Sequence, residues 1–447
     1  MKDSHSTAQE PTLVPFTEAL RFWLKLGFIS FGGPAGQIAI MHQELVERRR
    51  WISEGRFLQA LNYCMVLPGP EAQQLATYLG WLMHRSLGGL VAGILFVLPS
   101  FVLLIALGWV YLTYGDQPLV AAIFSGIKPA VTVIVLHAAW RIGQRTLRGP
   151  LPWMIASGAF VALSLFDVPF PAIILGAALI GWLMHRSGST AFANKPSHAN
   201  AGASEDDAII NDHMPIPEHA RYSLSRLIRV VIVGVLLWTI SIAALIIAVG
   251  ASHSLTDMGL FFTKAALLTF GGAYAVLPYV FDGAVTQYGW LTASQMIDGL
   301  ALGESTPGPL IMVVTFVGFV SGYGGDFLAG VSPLVNGVVA ATVVTWFTFL
   351  PSFVFILAGG PLIESGRHVD GLHAPLSAIT AAVVGVIVNL AVWFGAHVFF
   401  PTGELLWPAA ISLIIAAISM MILFQFKRSV LEVIGVAALI GMVWSLF

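Results

Sequence analysis

A single cysteine, Cys64, among 447 residues leaves the chain without an intrachain disulfide or a thiolate metal cluster. Charge is scarce too. Asp, Glu, Lys and Arg supply 10% of the residues and hydrophobic types 57%, where soluble domains hold about 25% and about 45–50%. That composition excludes a soluble protein of this length. A net charge of −2 gives no footprint for nucleic acid. No Ser/His/Asp set, phosphate loop or zincin motif is present, and the 12 histidines show no metal-ligand spacing. Nothing here points to an enzyme, a cofactor or a metal. Met1 to Glu10 is polar and mixed in charge, unlike the basic-then-apolar pattern of a cleaved signal peptide.

What the chain has is long apolar runs. They lie near 16–40, 57–83, 87–113, 117–140, 152–166 and 169–184, then near 228–250, 257–281, 294–322, 331–358, 376–400, 406–424 and 429–447. Runs of about 18 or more apolar residues are candidates for membrane helices. The expected fold is therefore an all-α integral membrane protein. A polar linker, 186–227, carries the acidic run Glu205-Asp206-Asp207 and separates six segments from seven. The expected organisation is one repeat over 1–185, that linker, a connecting membrane helix over 228–252, and a second repeat over 253–447.

The two repeats declare themselves by a fixed offset. Phe31-Gly32-Gly33, Trp51 and Pro68-Gly69-Pro70 recur as Phe270-Gly271-Gly272, Trp290 and Pro307-Gly308-Pro309, always 239 residues on (270 − 31). Lys25 and Lys264 obey the same offset. Farther along, Leu98-Pro99-Ser100-Phe101 recurs as Leu350-Pro351-Ser352-Phe353, 252 residues on (350 − 98). This is an internal duplication. Breaks at matching positions in two apolar halves are the best sequence pointer to a transporter's binding site.

Seven segments separate the two Phe-Gly-Gly elements, and an odd number inverts one repeat relative to the other. Lysine and arginine placement tests this. If every segment crosses, Arg85, Arg141, Arg145, Arg148, Arg186, Lys195, Arg221, Arg226, Arg229, Arg367, Lys427 and Arg428 share one side, and only Arg48, Arg49, Arg50 and Arg56 break the rule. The rule is restored if the first two segments enter and return on the cytoplasmic side. The re-entrant reading gives nine crossings and four re-entrant elements; thirteen plain crossings is the other. Both place the N-terminus and the linker in the cytoplasm.

The breaks suit an anion. Proline cannot continue a helix but is favoured at the start of the next, so Pro70 and Pro309 are expected to open helices with unpaired first amides. Those amides and the helix dipole attract negative charge. The candidate substrate-binding residues are Gly32, Gly33, Gly69, Pro70, Gly271, Gly272, Gly308 and Pro309, with Lys25, Lys264 and Lys128 as candidate cations. Snorkelling to the headgroups is the alternative for Lys25 and Lys264, and for Lys25, near a cytoplasmic end, it explains the residue equally well. Glu71 and Glu304 flank the two Pro-Gly-Pro elements and are candidates for proton coupling, or for capping amides only. Interfacial anchoring accounts for Trp51 and Trp290.

Taken together, Phe31-Gly32-Gly33-Pro34, Arg50-Trp51, Leu67-Pro68-Gly69-Pro70, Leu98-Pro99-Ser100-Phe101 and their second-half copies resemble the chromate ion transporter family, long-chain type with two fused homologous halves. The resemblance implies a secondary active transporter exporting chromate from the cytoplasm across the bacterial inner membrane, with chromate resistance as the result. Sulfate or another oxyanion is the alternative substrate, and an anion channel the alternative mechanism. The bilayer is the other expected partner, and a homodimer is compatible with the sequence. Export agrees with electrostatics: each charge crossing 100 mV is worth about 2.3 kcal/mol, so a dianion leaving a negative interior gains about 4.6 kcal/mol.

Overall fold

The structure, a computed structural model, describes residues 14–187, 208–212, 214, 217–325, 327–366, 373–400 and 407–446. The N-terminal Met1–Glu10, the acidic run Glu205–Asp207, Lys195 and Arg367 lie outside the described residues. Among those described, helix is the only extended element, and one isolated bridge, Ile52 to Ile210, is the sole strand-like pairing.

The first half opens with short helices. They are α1 (Phe16–Ile29), α2 (Gly33–His42), which runs on into one π turn at Gln43–Arg48, and α3 (Glu54–Val66). Then come α4 (Glu71–Tyr114), α5 (Pro118–Thr146), α6 (Pro150–Phe166) and α7 (Phe170–Arg186). α8 (Leu224–Val249) stands between the halves and starts four residues before the 228 expected from hydropathy. The second half repeats the plan: α9 (Ser254–Leu268), α10 (Ala273–Phe281) with a π turn at Asp282–Gln287, α11 (Ala293–Ser305), α12 (Val313–Gly324), α13 (Pro333–Glu364), α14 (His373–Phe399), α15 (Trp407–Met420) and α16 (Val430–Trp444). Even the π turns and the ends of α3 and α11 keep the offset of 239. α4, α5, α8, α13 and α14 are long and apolar enough to cross a bilayer.

α1, α2 and α3 have 14, 10 and 13 residues. At about 1.5 Å per residue each falls short of a hydrocarbon core about 30 Å thick. α4 has 44 residues, far more than one crossing needs, but it is broken at His84 and Arg85, where Arg85 takes φ 57° and ψ −159°. It is thus a short arm up to Met83 and a crossing arm from Ser86.

The chain doubles back within the first pair of arms. Arg49, past the end of α2, pairs with Glu18 at the start of α1 at 3.2 Å. Trp51 packs edge-on against Phe22 of α1 at 5.5 Å and lies under the Arg49 guanidinium. The second half does the same, with Trp290 against Phe261 at 5.6 Å and stacked on Tyr288. The two tryptophans therefore clasp the feet of hairpins. Trp51 is 4% exposed, which corrects the expectation that interfacial anchoring explains it.

The hairpins of the two halves stand at opposite ends of the molecule. Gln59 near the start of α3 donates to the carbonyl of Ile363 at the end of α13, 3.0 Å. The matching contact has Tyr111 near the end of α4 donating to Asp298 near the start of α11, 2.9 Å. Each partner is displaced by its half's offset, 239 for Gln59 and Asp298 and 252 for Tyr111 and Ile363. Reciprocity of this kind is what a twofold relation produces. The rear helices are exchanged in the same way. α6 and α7 pack on α14, while α15 and α16 pack on α5. Glycines permit the close approaches: a Cβ on Gly126 of α5 would collide with the Ala437 carbonyl of α16, and one on Gly441 with that of Ala122.

Arg48–Arg50, Arg56 and Arg85 gather at the end where the first-half hairpins have their feet. Arg56 is buried there and ion-paired with Glu364, which also accepts from Tyr78 at 2.6 Å. The described part of the linker lies along this arginine-rich face. Ile209 and Ile210 donate to the Arg50 and Trp51 carbonyls, both at 2.9 Å.

Candidate anion site at the crossed breaks

The four breaks meet at the middle of the molecule. The Gly69 N–H donates to the Thr269 carbonyl at 2.7 Å, and the Gly308 N–H to the Ser30 carbonyl at 2.8 Å. Thus the Pro-Gly-Pro of each half is bonded to the residue just before Phe-Gly-Gly of the other. Ser30 and Thr269 close α1 and α9, and their hydroxyls turn back onto the Leu26 and Ala265 carbonyls, 2.6 Å each. Their own carbonyls are helix-end acceptors that need a donor, and the glycine amides supply it.

Only glycine fits these crossings. Gly69 and Gly308 hold φ values of 130° and 104°, a region that L side chains avoid. A Cβ on Gly69 would stand 2.5 Å from the Ser352 hydroxyl, and one on Gly308 2.8 Å from the Ser100 Cβ. Gln37 donates to the Gly308 carbonyl at 2.5 Å, and Gln74 to that of Pro68 at 2.7 Å. The hydroxyls of Ser100 and Ser352 and the side-chain carbonyls of Gln37 and Gln74 are buried with no partner among the described residues. Polar atoms in such a position are expensive to leave unpaired.

Charge surrounds this knot. α2 begins beside Gly32, α4 beside Pro70 and α10 beside Gly272, and none of these starts has a side-chain cap. An Nη of Arg141, on α5, stands 3.9 Å from where a Cβ on Gly33 would lie. A guanidinium at a helix N-terminus faces like charge, and a bound anion between them would satisfy both. Glu71 places an oxygen 3.8 Å from the Cβ position of Gly272, at the N-terminus of α10. Arg145, one turn beyond Arg141, lies within electrostatic reach of Glu71. Glu304, in the last turn of α11, accepts from the Tyr274 hydroxyl and lies within reach of Arg141. Among the described residues no group of three His, Cys, Asp or Glu could hold a metal.

Coverage is unequal. Of α2, only Gln37 and Met41 are buried, and Gly32 is exposed. All nine residues of α10 are buried. The site is therefore covered tightly from the second-half side and loosely from the first.

The structure brings Gly32, Gly33, Gly69, Pro70, Gly271, Gly272, Gly308, Pro309, Glu71 and Glu304 to one region. The amides of Gly69 and Gly308 are engaged in the crossings, and after Pro309 the chain makes one 3-10 turn, Leu310–Met312, before α12. Lys25 and Lys264 remain symmetry mates, on exposed faces of α1 and α9 away from the buried stripe. Lys128 points to Ser294 and Asp298 instead of the breaks. Sequence reasoning missed Arg141, Arg145, Tyr274 and Gln37 as site residues. The arginines serve in the sequence as markers of sidedness, and their mates, Trp393 and His397, are neither Arg nor Lys, so the duplication does not flag them. Ser100 and Ser352 were visible in the repeated Leu-Pro-Ser-Phe.

Comparison with known proteins agrees with this duplicated plan. A family model described as chromate transporter matches residues 17–182 and again 256–442. A chromate transport protein of Pseudomonas aeruginosa is 33% identical over 86% of this chain and 82% of its own. Another, of Cupriavidus metallidurans, is 27% identical over 95% of this chain and 92% of its own. An uncharacterized transporter of Bacillus subtilis is 28% identical over 35% of this chain but 89% of its own, about the length of one half. No solved structure matches.

Proposed function

The chain belongs to the chromate transporter family with two halves fused in one polypeptide, and from that premise we propose that it exports chromate, or a tetrahedral oxyanion like it, as a secondary active transporter. The observation that carries the reading is the pair of reciprocal crossings, Gly69 to Thr269 and Gly308 to Ser30. They hold helix N-termini of both halves, and Arg141, around one centre. The halves act as inverted repeats about that centre, the usual architecture for alternating access. The arginine-rich face is cytoplasmic by the distribution of basic residues, so the N-terminus and linker lie inside. The loosely covered α2 then describes a carrier whose site communicates with the cytoplasm while α10 seals the outside. An open channel needs access from both faces at once.

The dianion is bound by Arg141, by the first free amides of α2 and α10, and by the orphaned hydroxyls of Ser100 and Ser352. Glu71 occupies the α10 end and must move or be neutralised when an anion takes that place. The membrane potential drives the outward step, so a proton is not required energetically. The test is counterflow in proteoliposomes. Vesicles preloaded with unlabelled chromate should transiently accumulate labelled chromate, and sulfate should compete. Large unitary currents without counterflow would replace the carrier by a channel; absence of any oxyanion flux would dismiss the proposal.

A further inference from the structure

Lys128 is held away from the crossed breaks by a built pocket. Its ammonium donates to Ser294 Oγ at 2.6 Å and stands 3.5 Å from Asp298 Oδ2. Tyr111 donates to the same carboxylate oxygen at 2.9 Å. The pocket joins α5, α11 and α4 at the face opposite the arginine-rich one. Its two ions are unequally covered: the Lys128 side chain is 28% exposed and that of Asp298 is 3%. Asp298 Oδ1 is buried without a partner among the described residues.

The other face also has an ion pair, but not at equivalent positions, since the mates of Asp298 and Lys128 are Gln59 and Thr380. There the cation, Arg56, is on the re-entrant arm and the carboxylate, Glu364, ends the crossing helix. At the far face the carboxylate is on the re-entrant arm and the cation is on α5, whose mate is α14 and not the α13 that bears Glu364. α5 thus bears Arg145 and Arg141 toward the centre and Lys128 beyond it, whereas the matching positions of α14 are His397, Trp393 and Thr380. An anion leaving the centre for the far face has Lys128 as the next cation along α5.

We infer that the Lys128–Asp298 pair is an exit gate worked by exchange of counter-ions: the departing oxyanion takes Lys128 from Asp298, and α11 is thereby freed from α5. The inference rests on the transport reading above and adds the gate to it. Exchange keeps the lysine compensated at every stage, which matters because an uncompensated buried charge is costly. The flexible four-carbon stem of lysine suits such a transfer better than a planar, bidentate arginine. Asp298 is not abandoned either. Tyr111 continues to donate to it, and Ser294, one turn before it on α11, can turn its hydroxyl from the ammonium to the carboxylate.

A structural ion pair and an exchange gate respond differently to reversal of the charges. The experiment uses full-length protein in proteoliposomes, in a Cys64→Ser background with Leu302→Cys as a probe one turn deeper than Asp298. Lys128→Gln should lower chromate transport by more than about tenfold. Asp298→Asn should increase labelling of the probe by an impermeant maleimide added at the far face. Lys128→Asp combined with Asp298→Lys should return labelling to the wild-type level, which also shows that the variant is folded, while transport stays low. Recovery of transport by the reversed pair would make it merely structural and overturn the gate. Unchanged labelling in Asp298→Asn would do the same. If wild-type vesicles move no oxyanion, the transport reading itself falls and the gate with it, whereas wild-type transport with a functional reversed pair defeats the gate alone.

Discussion

Arg141 faces the positive end of α2, an arrangement that an isolated protein would not favour. Its value lies in what comes between. A charge-assisted hydrogen bond is worth about 1.5–3 kcal/mol, so Arg141→Gln should raise the half-saturation constant for chromate by about ten- to hundredfold, measured as initial uptake into inverted vesicles. An unchanged constant would remove Arg141 from the site. Arg141→Lys should recover part of the affinity, since it restores the charge without the fork. The prolines and tryptophans rank differently. Pro70→Ala and Pro309→Ala each restore an N–H and release φ at a break, and should impair transport severely. Trp51→Phe keeps an aromatic ring against Phe22 and should be tolerated. Equal chromate resistance in cells carrying each of the three variants would refute that order. Much of this scale was legible because duplication marks residues twice. The glycines at 69 and 308 stood out for that reason. Arg141 did not, because only one half carries it, and a lone arginine in an apolar helix looks the same whether it serves an anion or marks a membrane face.

Element lengths and breaks were also legible. Gly and Pro placed the interruptions between α1 and α2 and between α3 and α4 within a residue or two, because few other residues allow the backbone to leave a helix there. The break inside α4 was legible only as the gap between two apolar runs, one ending near 83 and the next starting near 87. His84-Arg85 contains no breaker, and the kink comes from the need to turn a short arm into a crossing helix. Packing between helices was hidden as well, since it depends on which glycines face a neighbour. Gly126 faces α16 at contact distance, whereas Gly158 on α6 has nothing within 4 Å of its Cβ position. Overpacking costs about 1–3 kcal/mol. Gly126→Val should therefore lower the apparent melting temperature of detergent-purified protein by several degrees, and Gly158→Val should leave it near wild type. Similar melting of the two variants would show that α5 and α16 do not depend on that approach.

At the scale of the molecule, one pattern runs through every level. Hairpins, π turns, crossings, the Gln59 and Tyr111 contacts and the exchanged rear helices all come in reciprocal pairs. Charge does not: Arg141, Arg145 and Lys128 sit on α5 alone, and the basic loops gather at one face. The duplicated frame thus carries a one-sided distribution of charge. The count of segments between the copies gives opposite facing as the expectation, and the basic loops favour hairpins over crossings, because both arguments follow from the energetics of inserting charge and backbone into lipid. Exchange of α6 and α7 with α15 and α16 was beyond reach, since hydropathy says nothing about partners.

The opposed facing can be read directly from one symmetry-related pair of positions. Glu47 and Thr286 occupy equivalent places in the two π turns, 239 residues apart, and both are exposed. In a Cys64→Ser background, an impermeant maleimide applied to intact cells should label Thr286→Cys at once and Glu47→Cys only after the membrane is permeabilised. Labelling of both from the same side would contradict the account.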